Sequence, residues 1–146
     1  MFSAKTYAAR RNMLRTKIGS GIILLPGNSL SPNNYPNNAY YFRQDSSFRY
    51  YFGLNTPSLA GLIDADTGEE ALYGDDFTVE DIIWTGPQPT LRELGAEVGI
   101  TATFPMAELE KRLRKAVSLG RKIHYLPPYR GETKLQLSAL LGIKPE

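Results

Sequence analysis

The sequence predicts an α/β fold: a mixed β-sheet flanked by helices, in one domain. Three observations predict it. Apolar runs such as Ile22-Ile23-Leu24-Leu25 are continuous rather than alternating, as strands covered on both faces are. Helical patterns alternate with these runs along the chain, which argues for helices packed on both faces of a sheet. Asp64-Ala65-Asp66-Thr67-Gly68-Glu69 has the chemistry of a hairpin turn, with Gly68 free to take a positive φ. At least one strand pair is therefore antiparallel, and the sheet is mixed. The 146 residues suit a single domain over 1–146, long enough to bury roughly 70% of its unfolded surface.

The elements follow in order. Ser3 caps a helix running to about Lys17, and Gly19-Ser20-Gly21 ends it. A buried strand over 21–25 stops at Pro26-Gly27. From 28 to 39 the chain is Asn, Ser and Pro, with Pro32 and Pro36 placed to prevent any regular element, so a long surface loop is expected. The next stretch, 40–57, holds seven of the fifteen Phe and Tyr residues, which places a core or an interface there. Asp45, Ser46 and Ser47 can each cap a helix start. Phe48, Tyr51 and Phe52 share one helical face, Gly53 suits the left-handed helix end, and Pro57 blocks continuation.

A second buried strand is expected over 58–63, and its return over 70–74. Thr78-Val79-Glu80-Asp81 opens a short helix whose apolar part is Ile82, Ile83 and Trp84, and Gly86-Pro87-Gln88-Pro89 breaks it. Thr90-Leu91-Arg92-Glu93 is a capping box for a helix ending near Gly95 or Gly99. A short strand follows over 100–104. Met106, Leu109, Leu113 and Val117 then mark the clearest amphipathic helix, closed by Gly120. A strand over 122–126 stops at Pro127-Pro128. Leu135, Leu137, Leu140 and Leu141 indicate a last helix before Gly142. The chain stops at Lys144-Pro145-Glu146 with no closing strand or polar tail, as at a domain boundary.

Composition excludes several functions. With no cysteine there is no disulfide and no thiolate chemistry, which fits a reducing, cytoplasmic setting. No apolar run approaches the length of a membrane span or a signal-peptide core, so no membrane partner is expected. Net charge is +2, but no acid precedes Asp45, while Lys5, Arg10, Arg11, Arg15, Lys17 and Arg43 do. Such a terminus suits a transit peptide or a nucleic-acid contact. The simpler reading is the solvated face of a surface helix, because Tyr7, Leu14 and Ile18 keep helical spacing.

Sites for chemistry are few. Metal centres of the transition series draw on His, Cys and carboxylates together, and His124 is the single histidine, placed mid-strand as a structural or surface residue. Asp64-x-Asp66-x-Gly68 fails as a calcium loop, because glycine stands at the third ligand position. Asp75-Asp76 and Glu80-Asp81 form an acidic cluster better explained by compensation of a helix dipole. Ser46 and Ser47 lack the glycine-flanked elbow of a nucleophile. Gly19-x-Gly21 precedes a strand, whereas a dinucleotide fingerprint follows one. Trp84 remains: either a core residue or an indole held at a loop edge, where tryptophans serve as binding anchors.

One pattern carries a family likeness. Arg43-Gln44-Asp45-Ser46-x-Phe48-x-Tyr50-x-x-Gly53-x-Asn55-x-Pro57 resembles the signature of the N-terminal domain of Xaa-Pro aminopeptidases, of the creatinase and prolidase superfamily. The likeness is strongest over 35–94. It implies a mixed sheet flanked by helices and a non-catalytic role. The hydrolytic site, with two manganese ions on two Asp, one His and two Glu, lies in a following "pita-bread" domain absent from this chain, so no cofactor is expected within it. The domain would shape the mouth of that site and make contacts in a homo-oligomer, and the substrate would be a peptide with proline second.

Asp81-Ile82-Ile83-Trp84-Thr85-Gly86 is similar to a family motif in which the Trp approaches the substrate's N-terminal side from a neighbouring subunit. The likeness thus makes Trp84 a substrate-side residue, and Arg43, Asp45 and Gly53 motif residues of structural weight. The chain departs from the family at four places: Arg49 for an aromatic, Phe52 for a small hydroxyl residue, Thr56 for an acid and Asn37 for an Asp. The alternative function is a standalone binding or dimerisation module. A nucleic-acid binder acting through the basic N-terminus is a third reading.

Overall fold

The fold is a five-stranded mixed sheet between two layers of helices, seen in a computed structural model. The structure describes residues 1–30, 32–33, 35–39 and 41–142, and of 32–39 the backbone alone. Asn37 and Tyr40 therefore contribute no described side chain, and the expected boundary at 144–146 lies outside the described residues.

The elements run α1 (Ala4–Ile18), β1 (Ile22–Pro26), β2 (Pro32–Asn33), β3 (Tyr35–Ala39), α2 (Ser46–Phe52), β4 (Ala60–Asp64) and β5 (Glu70–Tyr73). They continue α3 (Val79–Thr85), α4 (Leu91–Glu97), β6 (Ala102–Phe104), α5 (Met106–Ser118), β7 (Ile123–His124) and α6 (Gly131–Leu141). The sheet order is β6-β5-β4-β1-β7. β4 is antiparallel to both β1 and β5, while β6 is parallel to β5 and β7 to β1. Four strands thus run one way and β4 alone runs against them. The carboxyl ends of β1, β5, β6 and β7 share one edge of the sheet.

Alternation along the strands divides the core in two, because successive side chains point to opposite faces. Ile23, Leu25, Ile63 and Leu72 point to one face, where Phe48, Phe52, Leu91 and Leu94 pack from α2 and α4. Ile22, Leu24, Leu62 and Ala71 point to the other, under Leu109, Leu113 and Ala116 of α5 and Leu137 of α6. Each fully buried Leu or Ile contributes roughly 1.5–3 kcal/mol relative to exposure. The Phe48 and Phe52 rings stack at 5.2 Å.

α2 forms where its caps require. The Asp45 side chain accepts from Phe48 N at 2.9 Å, and Gly53 ends the helix at φ 68°. A Cβ at Gly53 would run into the Tyr7 ring, so this glycine also lets α1 close on α2.

Four expectations are corrected. The loop expected over 28–39 contains the antiparallel ribbon β2–β3. A two-stranded ribbon leaves one edge of each strand unpaired, where proline's missing N–H is tolerated. Asn28, expected on that loop's surface, is only 6% exposed. The N-terminal helix is not uniformly solvated on its charged side, since Arg11 is 0% exposed. Its Nε donates to Glu70 Oε2 at 2.7 Å, Nη1 to Tyr51 O at 2.9 Å and Nη2 to Val98 O at 2.7 Å. Three elements and the α4 terminus meet on one guanidinium, whose planar fork suits such convergence. Lastly, Val117 is exposed, and Ala116 takes its expected place in the α5 core.

Candidate functional site

The carboxyl edge of the sheet carries two features that fold stability does not require: an exposed apolar arm after β5, and a basic cavity after β1 and β7. The arm is α3. Thr78 caps it, accepting from Asp81 N, while Asp81 Oδ2 accepts from Thr78 N at 3.0 Å and from Thr78 Oγ1 at 2.8 Å. Those two hydrogen bonds hold the Asp81 carboxyl below the usual carboxylate value. Gly86 closes the helix at φ 82° with its N–H on Ile82 O.

Short local bonds make this helix without burying any of its residues. Trp84 is 83% exposed, Val79 77% and Ile83 75%. An isolated helix of seven residues is marginal in water, and α3 is braced instead at its root. Asp75 Oδ1 accepts from Met106 N at 3.2 Å, at the start of α5, and Asp76 Oδ1 accepts from Leu91 N at 2.6 Å, at the start of α4. The acidic pair thus compensates helix starts, those of α4 and α5. The arm leaves the sheet from a point fixed on both sides.

The cavity lies at the carboxyl ends of β1 and β7. It has a volume of ≈ 450 Å³ and is lined by Asn28, Ser29, Arg43, Ser46, Tyr129 and Arg130, with Tyr41 and Phe42 at its rim. Next to Arg43 in the chain, Gln44 is 4% exposed and hydrogen-bonded at both ends of its amide. Oε1 accepts from Asn28 N at 2.8 Å and Asp45 N at 3.0 Å, and Nε2 donates to Leu54 O at 3.2 Å and Thr56 O at 2.9 Å. Asn28 Nδ2 in turn donates to Arg43 O at 3.0 Å and Tyr129 Oη at 3.4 Å. The family-like stretch is therefore a lattice of buried amides that fixes where Arg43 begins.

Trp84 lies on the helix that follows β5, and Arg43 lines the cavity that follows β1; the carboxyl ends of those two strands share one edge of the sheet, with β4 between them. Asp45 and Gly53 lie behind Arg43, at the ends of α2. Gln44, Asn28, Tyr129 and Arg130 were not singled out by the sequence. The signal for Gln44 was its place inside the Arg43-Gln44-Asp45 motif, and that for Arg130 was the Pro-Pro break just after a strand. His124 sits apart from both features, its Nε2 2.9 Å from Ser20 O. Asp64 is also structural: it is buried, with Oδ1 2.7 Å and Oδ2 3.1 Å from Arg121.

Among the described residues no group of three or more His, Cys, Asp or Glu could hold a metal ion. No described helix is long and apolar enough to cross a membrane.

Comparison with known proteins gives a consistent picture. The pattern of the family described as "Aminopeptidase P, N-terminal domain" matches residues 7–125. A human Xaa-Pro dipeptidase is 31% identical over 65 residues, which is 44% of this chain and 13% of the relative. An uncharacterized peptidase of Saccharomyces cerevisiae is 26% identical over 111 residues, 76% of this chain and 21% of the relative. The solved structure of Pseudomonas aeruginosa aminopeptidase PepP superposes with a TM-score of 0.80 at 21% identity, covering 97% of this chain and 32% of that one. The fold is the same, and the chain spans about a fifth or less of the length of these curated relatives and a third of the solved one.

Proposed function

Because the chain belongs to the aminopeptidase P N-terminal domain family, we propose that it is the non-catalytic domain of a metal-dependent Xaa-Pro peptidase, shaping the mouth of the active site and contributing subunit contacts. The observation that carries the reading is the α3 arm. Its apolar residues stand in water at no gain to this domain, on a root fixed by Asp75 and Asp76. A large exposed indole on a braced helix fits an anchor that another surface covers. In this reading that surface is the substrate mouth of the assembled homo-oligomer, and Trp84 borders a peptide with proline second. Among the described residues no group of three or more His, Cys, Asp or Glu could hold a metal ion. The two manganese ions that such peptidases use belong in the hydrolytic domain, where they would activate water.

The division of labour is testable. The 146-residue chain, supplied with manganese, is expected to leave Arg-Pro-Pro intact. In a protein that also carries the hydrolytic domain, Trp84→Ala should lower kcat/KM for short peptides by roughly ten-fold, the scale of one lost anchoring contact. Metal-dependent cleavage by the 146-residue chain would overturn the non-catalytic assignment. Unchanged kinetics in the variant, with a weakened oligomer, would make α3 a dimerisation surface instead.

A further inference from the structure

We infer that the cavity between Arg43 and Arg130 binds a carboxylate, and that its ligand is the free C-terminus of a short peptide ending in proline. The choice of ligand rests on the peptidase reading; the carboxylate site itself rests on geometry. Two guanidinium groups from segments 87 positions apart line one cavity of ≈ 450 Å³, and no acidic residue lines it. Arg43 is exposed and makes no ion pair among the described residues. Arg130 is held in place on two sides: Nη1 donates to Ser29 O at 3.2 Å, and Nε forms a long ion pair with the half-exposed Glu132 at 3.6 Å. Arg43, beside an Arg130 whose ion pair is long and half-exposed, offers a carboxylate what it needs, since guanidinium groups bind carboxylates through paired N–H donors.

The exposed lining residues, Arg43 and Tyr129 among them, stand on a buried frame. Gln44 and Asn28, both nearly buried and hydrogen-bonded to each other, tie the backbone at Arg43 to the end of β1. The Tyr129 hydroxyl accepts from Asn28, which leaves its own hydrogen to donate to a ligand. The site opens at the carboxyl ends of the parallel pair β1 and β7, the edge of an α/β sheet where ligands bind. Tyr41 and Phe42 add ring surface beside the two charges. That combination suits a carboxylate attached directly to an apolar ring, as in a C-terminal proline.

Calorimetric titration of the 146-residue chain tests the assignment with four probes: Gly-Pro, Gly-Pro amide, acetyl-aspartate amide and inorganic phosphate. Gly-Pro should bind with a Kd on the order of 1 mM, and the amide about tenfold more weakly. Arg43→Gln, at an exposed side chain, should weaken Gly-Pro about fivefold while leaving the melting temperature in place, and Arg130→Gln should act in the same direction. Equal binding of Gly-Pro and its amide, or no binding of Gly-Pro at about 50 mM, would overturn the site. Equal binding of acetyl-aspartate amide would reassign it to a side-chain carboxylate of a docked protein, and tighter binding of phosphate would make it a general oxyanion site; either overturns the peptide terminus as ligand. Loss of Gly-Pro binding would leave the peptidase reading intact, and an inactive longer protein would leave the binding result intact.

Discussion

α1 and α3 invert the expectation that their sequences set. The basic helix α1 buries a guanidinium completely, and the apolar turn of α3 exposes the chain's single tryptophan. The difference lies in what each helix meets. Arg11 faces a part-buried Glu carboxylate, the part-buried carbonyl of Tyr51 and the buried carbonyl of Val98. Its burial satisfies them, and their presence makes its burial possible. α3 buries none of its residues within the domain. It persists through its capping box and the two helix-start bonds at its root, and its apolar side chains remain available. One region has converted charge into structure, and the other leaves its apolar surface uncovered in this domain.

The largest expected effect tests the buried half of that contrast. Arg11→Ala should cost ~3–5 kcal/mol, because it strands Glu70 and two carbonyls. The same truncation at Trp84 should move stability by less than about 1 kcal/mol, as surface changes do. Denaturant melts of the two variants decide it. Similar losses from both would mean that α3 is packed, or that Arg11 does not join α1 to Glu70, Tyr51 and Val98.

A smaller effect should appear with pH. Burial pushes the Asp64 carboxyl up, but hydrogen bonds from Arg121 and from the Thr67 and Asp66 N–H groups outweigh it and hold the group below its ordinary 3.8. A lowered folded value means that the stabilisation is complete above 3.8 and is lost as pH falls below it, through the folded value. The melting temperature should therefore fall steeply below about pH 4. Asp64→Asn should be less stable at neutral pH and show a flatter acid limb. An unchanged acid limb in the variant would remove Asp64 from the account.

Much of the fold was legible because it is written locally. The α5 core positions Leu109 and Leu113, the Asp45 cap, the Gly53 terminus and the Thr90–Glu93 box each need only neighbours within a turn or two. What was not legible depends on distant partners. Arg11 pairs with Glu70 and Arg121 with Asp64, 59 and 57 positions away, so nothing near Arg11 announces that it is buried. The ribbon β2–β3 was hidden for another reason. Its prolines exclude a strand inside a sheet, but not one with an open edge. For the candidate site, the motif led to Arg43, while Arg130 is brought beside it only by the parallel pairing of β7 with β1.

The central claim is that α3 presents Trp84 to a surface outside this domain. Acrylamide quenching of the fluorescence of Trp84, the chain's single indole, tests it most directly. At concentrations where the 146-residue chain is monomeric, the quenching constant should approach that of free indole in water, in keeping with 83% exposure. A constant several-fold lower, in the range of a buried indole, would contradict the claim and return Trp84 to the core.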